Sequence, residues 1–275
     1  MAAKVWMVTG ASRGIGAEIA KAALAEGDKL IATARDARAF DRFKGNDNVI
    51  AVAIDVTDEA QVVAGVREGL SRFGRIDVLV NNAGFGLLGA IEETPAESVE
   101  HIYRTNVFGL LNVIRAVLPG MRRQRSGRII NLSSLGGFRA SAGWGVYCST
   151  KFAVEGITEA LHDEVAPLGI HATVVEPGFF RTDFMDNRSL SKTAHQIDDY
   201  AATVGKTREM VVERNHQQPG DPAKLAQAIV KLANAADPPL RLPLGKDAVA
   251  RIAEKIAFVE GETATWRSLS ESTEF

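Results

Sequence analysis

Tyr147 and Lys151 stand four residues apart in the stretch VYCSTKFAVEGITEAL, residues 146–161, of a chain that has only three tyrosines. On a helix that spacing puts the phenol and the ammonium on one face. A free phenol titrates at about 10, too high for ready proton transfer near neutral pH. A neighbouring cation favours the phenolate and moves the group toward the useful range. The pair could therefore give and take back a proton at a carbonyl or alcohol oxygen. Tyr and Lys four apart are also common on helices as ordinary packing residues, so their surroundings decide. Thirteen residues before Tyr147, Ser134 ends the strand-like run RIINLSS and could hydrogen-bond the same oxygen. Ser133 is the rival, but alternation along a strand points neighbouring side chains in different directions.

A second group suits a nucleotide. In TGASRGIG, residues 9–16, Gly10, Gly14 and Gly16 follow the first strand signal and open the first helix signal. Free amides at a helix N-terminus hold phosphate, and glycine permits left-handed backbone and close approach. Asn82 and Gly84, in NNAG, end a later strand on the same edge. The usual NAD determinant is an acidic residue about 20 positions on, ending the second strand. Asp36 lies at that distance, but the strand LIATA finishes at Ala34 and DARAF makes Asp36 a helix N-cap. Arg35 follows the strand directly and Arg13 sits inside the glycine loop. Two guanidiniums converging on a 2′-phosphate favour NADP(H) over NAD. Asp55, in IDVT, reads equally as a partner for the adenine amino group and as a turn residue before the next helix.

Those residues need elements to hold them on one edge. Strand signals KVWMVTG, KLIATA, VIAVAI, IDVLVNNAG, RIINLSS, IHATVVEPG and LRLPLG alternate with helical stretches. The helices include one from about Pro95 to Met121 and one from about Trp144 to Ala166. The strands are Val-, Ile- and Leu-rich with little polar alternation, as when helices cover both faces of a sheet. The expected fold is α/β, a doubly wound parallel sheet of the Rossmann type in a single domain over residues 1–275. Ligands bind such sheets beyond the carboxyl ends of the strands. Residues 181–220 are polar and lack a clear period, which suggests a lid loop; residues 246–275 read as a C-terminal helical extension.

Composition narrows the classes. A net charge of −2 leaves no overall basic field for nucleic acid or an anionic membrane. The basic run RRQRSGR at residues 122–128 falls at a helix end, where it suits the dipole. The single cysteine, Cys148, forms no internal disulfide, and the start MAAKVWMVTG runs directly into a strand, so the expectation is a cytoplasmic protein. No apolar stretch approaches the ~18 residues of a membrane span. No HExxH or Cys/His cluster points to a metal.

Taken together in chain order, TGASRGIG, Asp55, NNAG, Asn106 in NVFG, Ser134, Tyr147/Lys151, and Pro177-Gly178 with Thr182 resemble the short-chain dehydrogenase/reductase family. The resemblance covers roughly residues 4 to 245. It implies that Tyr147 is the general acid/base, that Ser134 orients the carbonyl, that Lys151 also binds the nicotinamide ribose, and that Asn106 holds a water in a proton relay. It likewise implies a cofactor bed of Gly10, Ser12, Arg13, Gly14, Ile15, Gly16, Arg35, Asp55, Val56, Asn82, Ala83, Gly84, Pro177, Gly178 and Thr182. Since the chain continues past LPLG with KDAVARIAEKIAFVEGETATW, it looks more similar to the longer hydroxysteroid- and retinol-type carbonyl reductases than to the short members that end after the last strand. That length weakens the expectation of a tetramer. A homodimer through the helices at about 98–120 and 147–166 fits the family.

The expected activity is NADPH-dependent reduction of a hydrophobic ketone or aldehyde, reversible as alcohol oxidation. Phe85, Leu87, Leu88, Leu135, Phe138, Trp144, Phe179, Phe180 and Phe184 are the candidate pocket wall, although aromatics after strands also serve as ordinary packing. His195, Asp198 and Tyr200 in the lid receive no role. The rival readings are an epimerase or double-bond reductase on the same fold, and a non-catalytic NADPH sensor. The sensor reading expects loss of the Tyr or the Lys, and both are present.

Overall fold

The computed structural model describes residues 3–275. Its centre is a seven-stranded sheet. The strands are β1 (Val5–Thr9), β2 (Lys29–Ala34), β3 (Val49–Ala53), β4 (Val78–Asn81), β6 (Gly127–Leu132), β7 (Ile170–Pro177) and β9 (Arg241–Leu244). They lie in the order β3-β2-β1-β4-β6-β7-β9, every pairing parallel. The order reverses between β1 and β4, and such a switch point leaves a crevice beyond the strand ends.

Parallel strands need crossover helices, and these cover both faces. One face carries α1 (Gly14–Ala25) and α7 (Pro222–Asn234), packed on Trp6, Val8, Leu30, Val80 and Ile130. The other carries α2 (Glu59–Phe73), α4 (Leu110–Gln124) and α5 (Gly145–Val165), packed on Met7, Ile31, Leu79 and Ile129. With both faces covered, each of the five β1 residues is buried, which is why VWMVT carries no polar alternation. Gly65 and Gly69 let α2 rest directly on Ile54 and Ile31, where a β-carbon would collide. Asp58 starts that helix by accepting from the Gln61 amide at 3.0 Å.

Two segments differ from the sequence expectation. The long helix from Pro95 is continuous, but it is built of α3 (Ala96–Tyr103), a π-helical segment Arg104–Gly109, and α4. Period-3.6 patterning cannot reveal one inserted residue, whereas the wider turn re-aims the side chains it contains. The segment 181–220 is folded rather than a bare loop. It holds β8 (Leu190–Lys192), which pairs in parallel with β5 (Gly86–Leu88), and the short helix α6 (Lys206–Arg214). Glu93, buried, ties it down by accepting from the Ile197 amide at 2.9 Å and from Arg208. Tyr200 donates to Glu92 at 2.6 Å, while His195 and Asp198 are exposed. The chain ends in α8 (Lys246–Glu271). No helix among the described residues is long and apolar enough to cross a membrane.

Candidate active site

The crevice over the switch point opens into a cleft of about 870 Å³. All the sequence-predicted site residues line it except Gly16 and Asn106, which are buried behind it.

The glycine loop is shaped by its backbone. Gly10 and Gly14 have φ of +64° and +55°, the left-handed region that side chains avoid. A β-carbon at Gly16 would overlap the Gly10 carbonyl and the Asn82 amide. Asn82 belongs to this scaffold: its Nδ2 donates to the carbonyls of Thr9 and Gly10 at 2.9 and 3.1 Å. Thr9 answers from β1, its hydroxyl accepting from the amides of Asn82 and Ala83, each at 3.0 Å. Thr9 was not singled out as a site residue by the sequence, and nothing in its spacing marks it. Across the cleft, a β-carbon at Gly14 would lie 3.8 Å from that of Thr182. Pro177 and Gly178 leave β7, and the Phe179 amide donates to Asp247 Oδ2 at 2.7 Å, which anchors that turn to α8.

At the far end of the nucleotide half, β2 stops at Ala34 as expected. Arg35 is exposed on the cleft wall. Asp36 caps the following turn, accepting from the Arg38 amide at 3.0 Å and pairing with the Arg38 guanidinium at 2.9 Å. That hydrogen-bonded pair holds its carboxyl below the ordinary value. Arg13 reaches the lid instead, donating to the Arg188 carbonyl at 2.7 Å. Asp55 is a turn residue on the cleft wall. Oδ1 accepts from Thr57 N and Oγ1 at 2.9 and 2.8 Å as a turn residue does, and the side of the turn faces the cleft.

Around the reacting centre, α5 places Tyr147, Lys151 and Glu155 one turn apart on a buried face. Tyr147 packs its ring on Trp144 and Phe184, with centroids 5.6 and 5.7 Å away. Burial pushes its phenol well above the ordinary value, with the Ser134 hydrogen bond acting the other way. Lys151 does not offset this: its Nζ donates to the Leu132 carbonyl at 2.8 Å and lies 5.9 Å from the Tyr147 ring centroid. Burial pushes the ammonium itself down to about 8, with Glu155 favouring its charge. The expected lowering of the phenol by its lysine is therefore absent from the open cleft. Taking the phenol away from water disfavours the phenolate, and the Ser134 hydrogen bond only partly opposes this.

Ser134 faces the cleft, its Oγ accepting from the Gly136 amide at 3.0 Å. Ser133 and Ser134 both lie past the end of β6 and both line the cleft, with Ser133 the more buried and turned toward Glu155. Asn106 sits in the π-helical segment. Its Oδ1 accepts from Phe85 N at 3.1 Å, and its Nδ2 donates to Phe85 O and Thr150 Oγ1 at 3.0 and 3.1 Å. The amide thus braces the Gly84-Phe85 turn against the start of α5.

Of the expected apolar wall, Phe85, Leu135, Trp144, Phe179, Phe180 and Phe184 line the cleft. Leu87, Leu88 and Phe138 do not. Leu87 and Leu88 are buried with β8 in a small core under the lid, and Phe138 lies beneath the Arg241 guanidinium. Met185 and Met210 from the lid, and Arg251 from α8, complete the wall. They are remote in sequence from any motif.

Behind Lys151 lies a charge cluster that the sequence did not announce. Arg241 of β9 pairs with the buried Glu155 and Glu176 and with the more exposed Glu159. Burial pushes the Glu155 carboxyl up to about 7 from 4.5, and Glu176 adds to it, against Ser133 and Arg241. A carboxyl raised by folding stabilises the fold below its unfolded value. That contribution is lost as pH rises from 4.5 through about 7. Glu155→Gln is thus expected to flatten the dependence of melting temperature on pH across this window. An unchanged slope would assign the titration elsewhere.

Comparison with known proteins agrees with this geometry. A family model described as short chain dehydrogenase matches residues 4–193. The oxidoreductase BOA17 of Botryotinia fuckeliana is 39% identical over 97% of this chain and 98% of its own. The 3-ketodihydrosphingosine reductase of Bacteroides thetaiotaomicron is 38% identical over 89% of each. A crystal structure of a short-chain dehydrogenase from Streptomyces avermitilis superposes with a TM-score of 0.93 at 43% identity, covering 100% of both chains. Among more distant solved structures, some carry NAD and others NADP.

Proposed function

The chain belongs to the short chain dehydrogenase family of oxidoreductases, and from that premise we propose that it is an NADPH-dependent carbonyl reductase, reversible as an alcohol dehydrogenase. The observation that carries the reading is the Tyr147 phenol buried at the base of an open cleft, with Ser134 beside it and Lys151 one turn below. NADPH, when bound, supplies the hydride. The Tyr147 hydroxyl then delivers a proton to the substrate oxygen, and Ser134 orients that oxygen. Lys151 holds the nicotinamide ribose and favours the phenolate left behind. Asn106, with one Oδ1 lone pair beyond its bond from Phe85, holds the water that returns the proton. The glycine loop suits a pyrophosphate, since Gly10 and Gly14 take left-handed backbone on the cleft wall at the start of α1, and Gly16 lets that helix pack directly on Gly10 and Asn82. The other cofactor contacts are Ser12, Ile15, Val56, Ala83, Gly84 and Thr182.

NADP(H) is favoured over NAD by the contrast between Arg35 and Asp36. Asp36 is already occupied by Arg38, whereas Arg35 has no hydrogen-bond or ion-pair partner among the described residues. A charge-assisted contact contributes about 1.5–3 kcal/mol, at least tenfold in affinity. Arg35→Asp is expected to weaken NADPH at least tenfold more than NADH in a fluorescence titration. An unchanged ratio would clear Arg35 of the role.

The aromatic and methionine wall suits a hydrophobic ketone or aldehyde, and the name of the Bacteroides relative agrees with a ketone. The test is NADPH consumption across a panel of hydrophobic ketones and aldehydes, using deuterated cofactor to find where the hydride lands. Label on a carbinol carbon supports the reading; label on a reduced double bond, or no turnover with any member, overturns it. Phe108 and Phe152, 55% and 45% exposed on the α4 and α5 side, support a dimer through those helices. A cytoplasmic setting belongs to the same proposal, since the lone thiol of Cys148 is buried and free.

A further inference from the structure

We infer that α8 is an interaction helix whose partner is the α8 of a second copy of this chain, lying antiparallel to it. Every residue from Ile256 to Phe275 is exposed, so the last four turns of this helix rest on nothing in their own chain. A free-standing helix of this length is marginal in water, and most helical stability comes from burying an apolar face. Such a face is present. Val249, Ile252, Ile256, Val259, Trp266 and Leu269 recur at spacings of three and four, interrupted only by Thr263. Val249, Ile256, Val259, Trp266 and Leu269 are 54%, 45%, 44%, 61% and 63% exposed.

The charges beside this stripe choose the occupant. In the first half the acids are spent within the chain: Asp247 accepts from Phe179 N and Glu254 pairs with Arg139. Lys246, Arg251 and Lys255 remain as cations. In the second half Arg267 pairs with Glu271, leaving Glu260, Glu262 and Glu274. A helix basic at its start and acidic at its end is complementary to itself only when reversed. With Val259 on the two-fold axis, Val249 meets Leu269 of the second copy and Ile252 meets its Trp266. In the same register Lys255 faces Glu262 on the flank of the stripe. The reversed stripe runs about 30 Å from Val249 to Leu269. Such an interface is isologous and closes on itself.

The test is the mass in solution together with cross-linking. In light scattering, Trp266→Glu combined with Leu269→Glu is expected to halve the assembly mass, whether the starting species is a dimer or a larger closed form. Oxidation should join Val259→Cys into covalent dimers, because only a residue at the axis meets itself. Leu269→Cys alone should stay uncrosslinked but join a Val249→Cys chain in a mixture. A monomeric parent, an unchanged mass in the double variant, or self-crosslinking of Leu269→Cys would each overturn the inference. So would a parent that is monomeric and binds phosphatidylcholine or phosphatidylserine vesicles through α8. This readout is independent of turnover and cofactor binding, so it stands apart from the reductase reading.

Discussion

Replacing Tyr147 with phenylalanine is expected to lower kcat by about 10²–10⁴-fold, the range for losing a positioned general acid, with NADPH affinity almost unchanged. The substitution is close to isosteric. The ring keeps its packing on Trp144 and Phe184, and α5 keeps Lys151 on the Leu132 carbonyl. Only the hydroxyl goes, and with it the proton delivered to the substrate oxygen. Because burial holds the phenol protonated in the open cleft, reduction starts from the correct protonation state at neutral pH. Oxidation of an alcohol needs the phenolate, so in that direction the rate should climb with pH. Stopped-flow kinetics with an NADPH titration of both proteins checks both halves. Turnover above a tenth of the parent rate would remove Tyr147 as the acid. Lost cofactor binding would show instead that the phenol supports the cleft.

Arg241→Met is expected to cost about 3–5 kcal/mol of stability at neutral pH, the penalty for leaving buried charges without their partner, and on the order of 10 °C in Tm. Glu155 and Glu176 both contact the one guanidinium, and their side chains are 6% and 1% exposed. Neither can turn to water without opening the seam between α5, β7 and β9. Without the cation the Glu155 carboxyl is pushed higher still, so the loss should shrink as pH falls toward about 7, where the variant already holds the proton, and Glu155 should add no further change below it. Adding Glu155→Gln to Arg241→Met should recover part of the loss at neutral pH. Calorimetry across pH tests this, and a penalty that is small, or equal at every pH, would show the cluster to be loosely solvated. Since Glu155 lies one turn from Lys151, the variant also tests how firmly the floor of the cleft is held.

Much of this could be read without coordinates because it is local. Gly10 and Gly14 were readable as glycines that the backbone requires, and both take the left-handed conformation. Asp36 was readable as a cap because capping is settled within two residues, and it accepts from Arg38. Runs of Val and Ile without polar alternation report a sheet covered on both faces, and the doubly wound order follows.

What the chain hid is carried by distant contacts. Leu87 and Leu88 looked like pocket wall from their place after β4, but β8, about a hundred positions on, buries them under the lid. Asn106 occupies a helical pattern that carries no sign of the π-helical turn pointing it at Phe85 and Thr150. By itself the sequence determined the elements, their alternation, the glycine bed and the spacing of phenol and ammonium, since each depends on neighbours within a turn or a strand. Only the tertiary structure decided the protonation of that phenol and the partners of Arg241. Desolvation and ion pairing depend on what the rest of the chain packs around a group, and no local pattern encodes that.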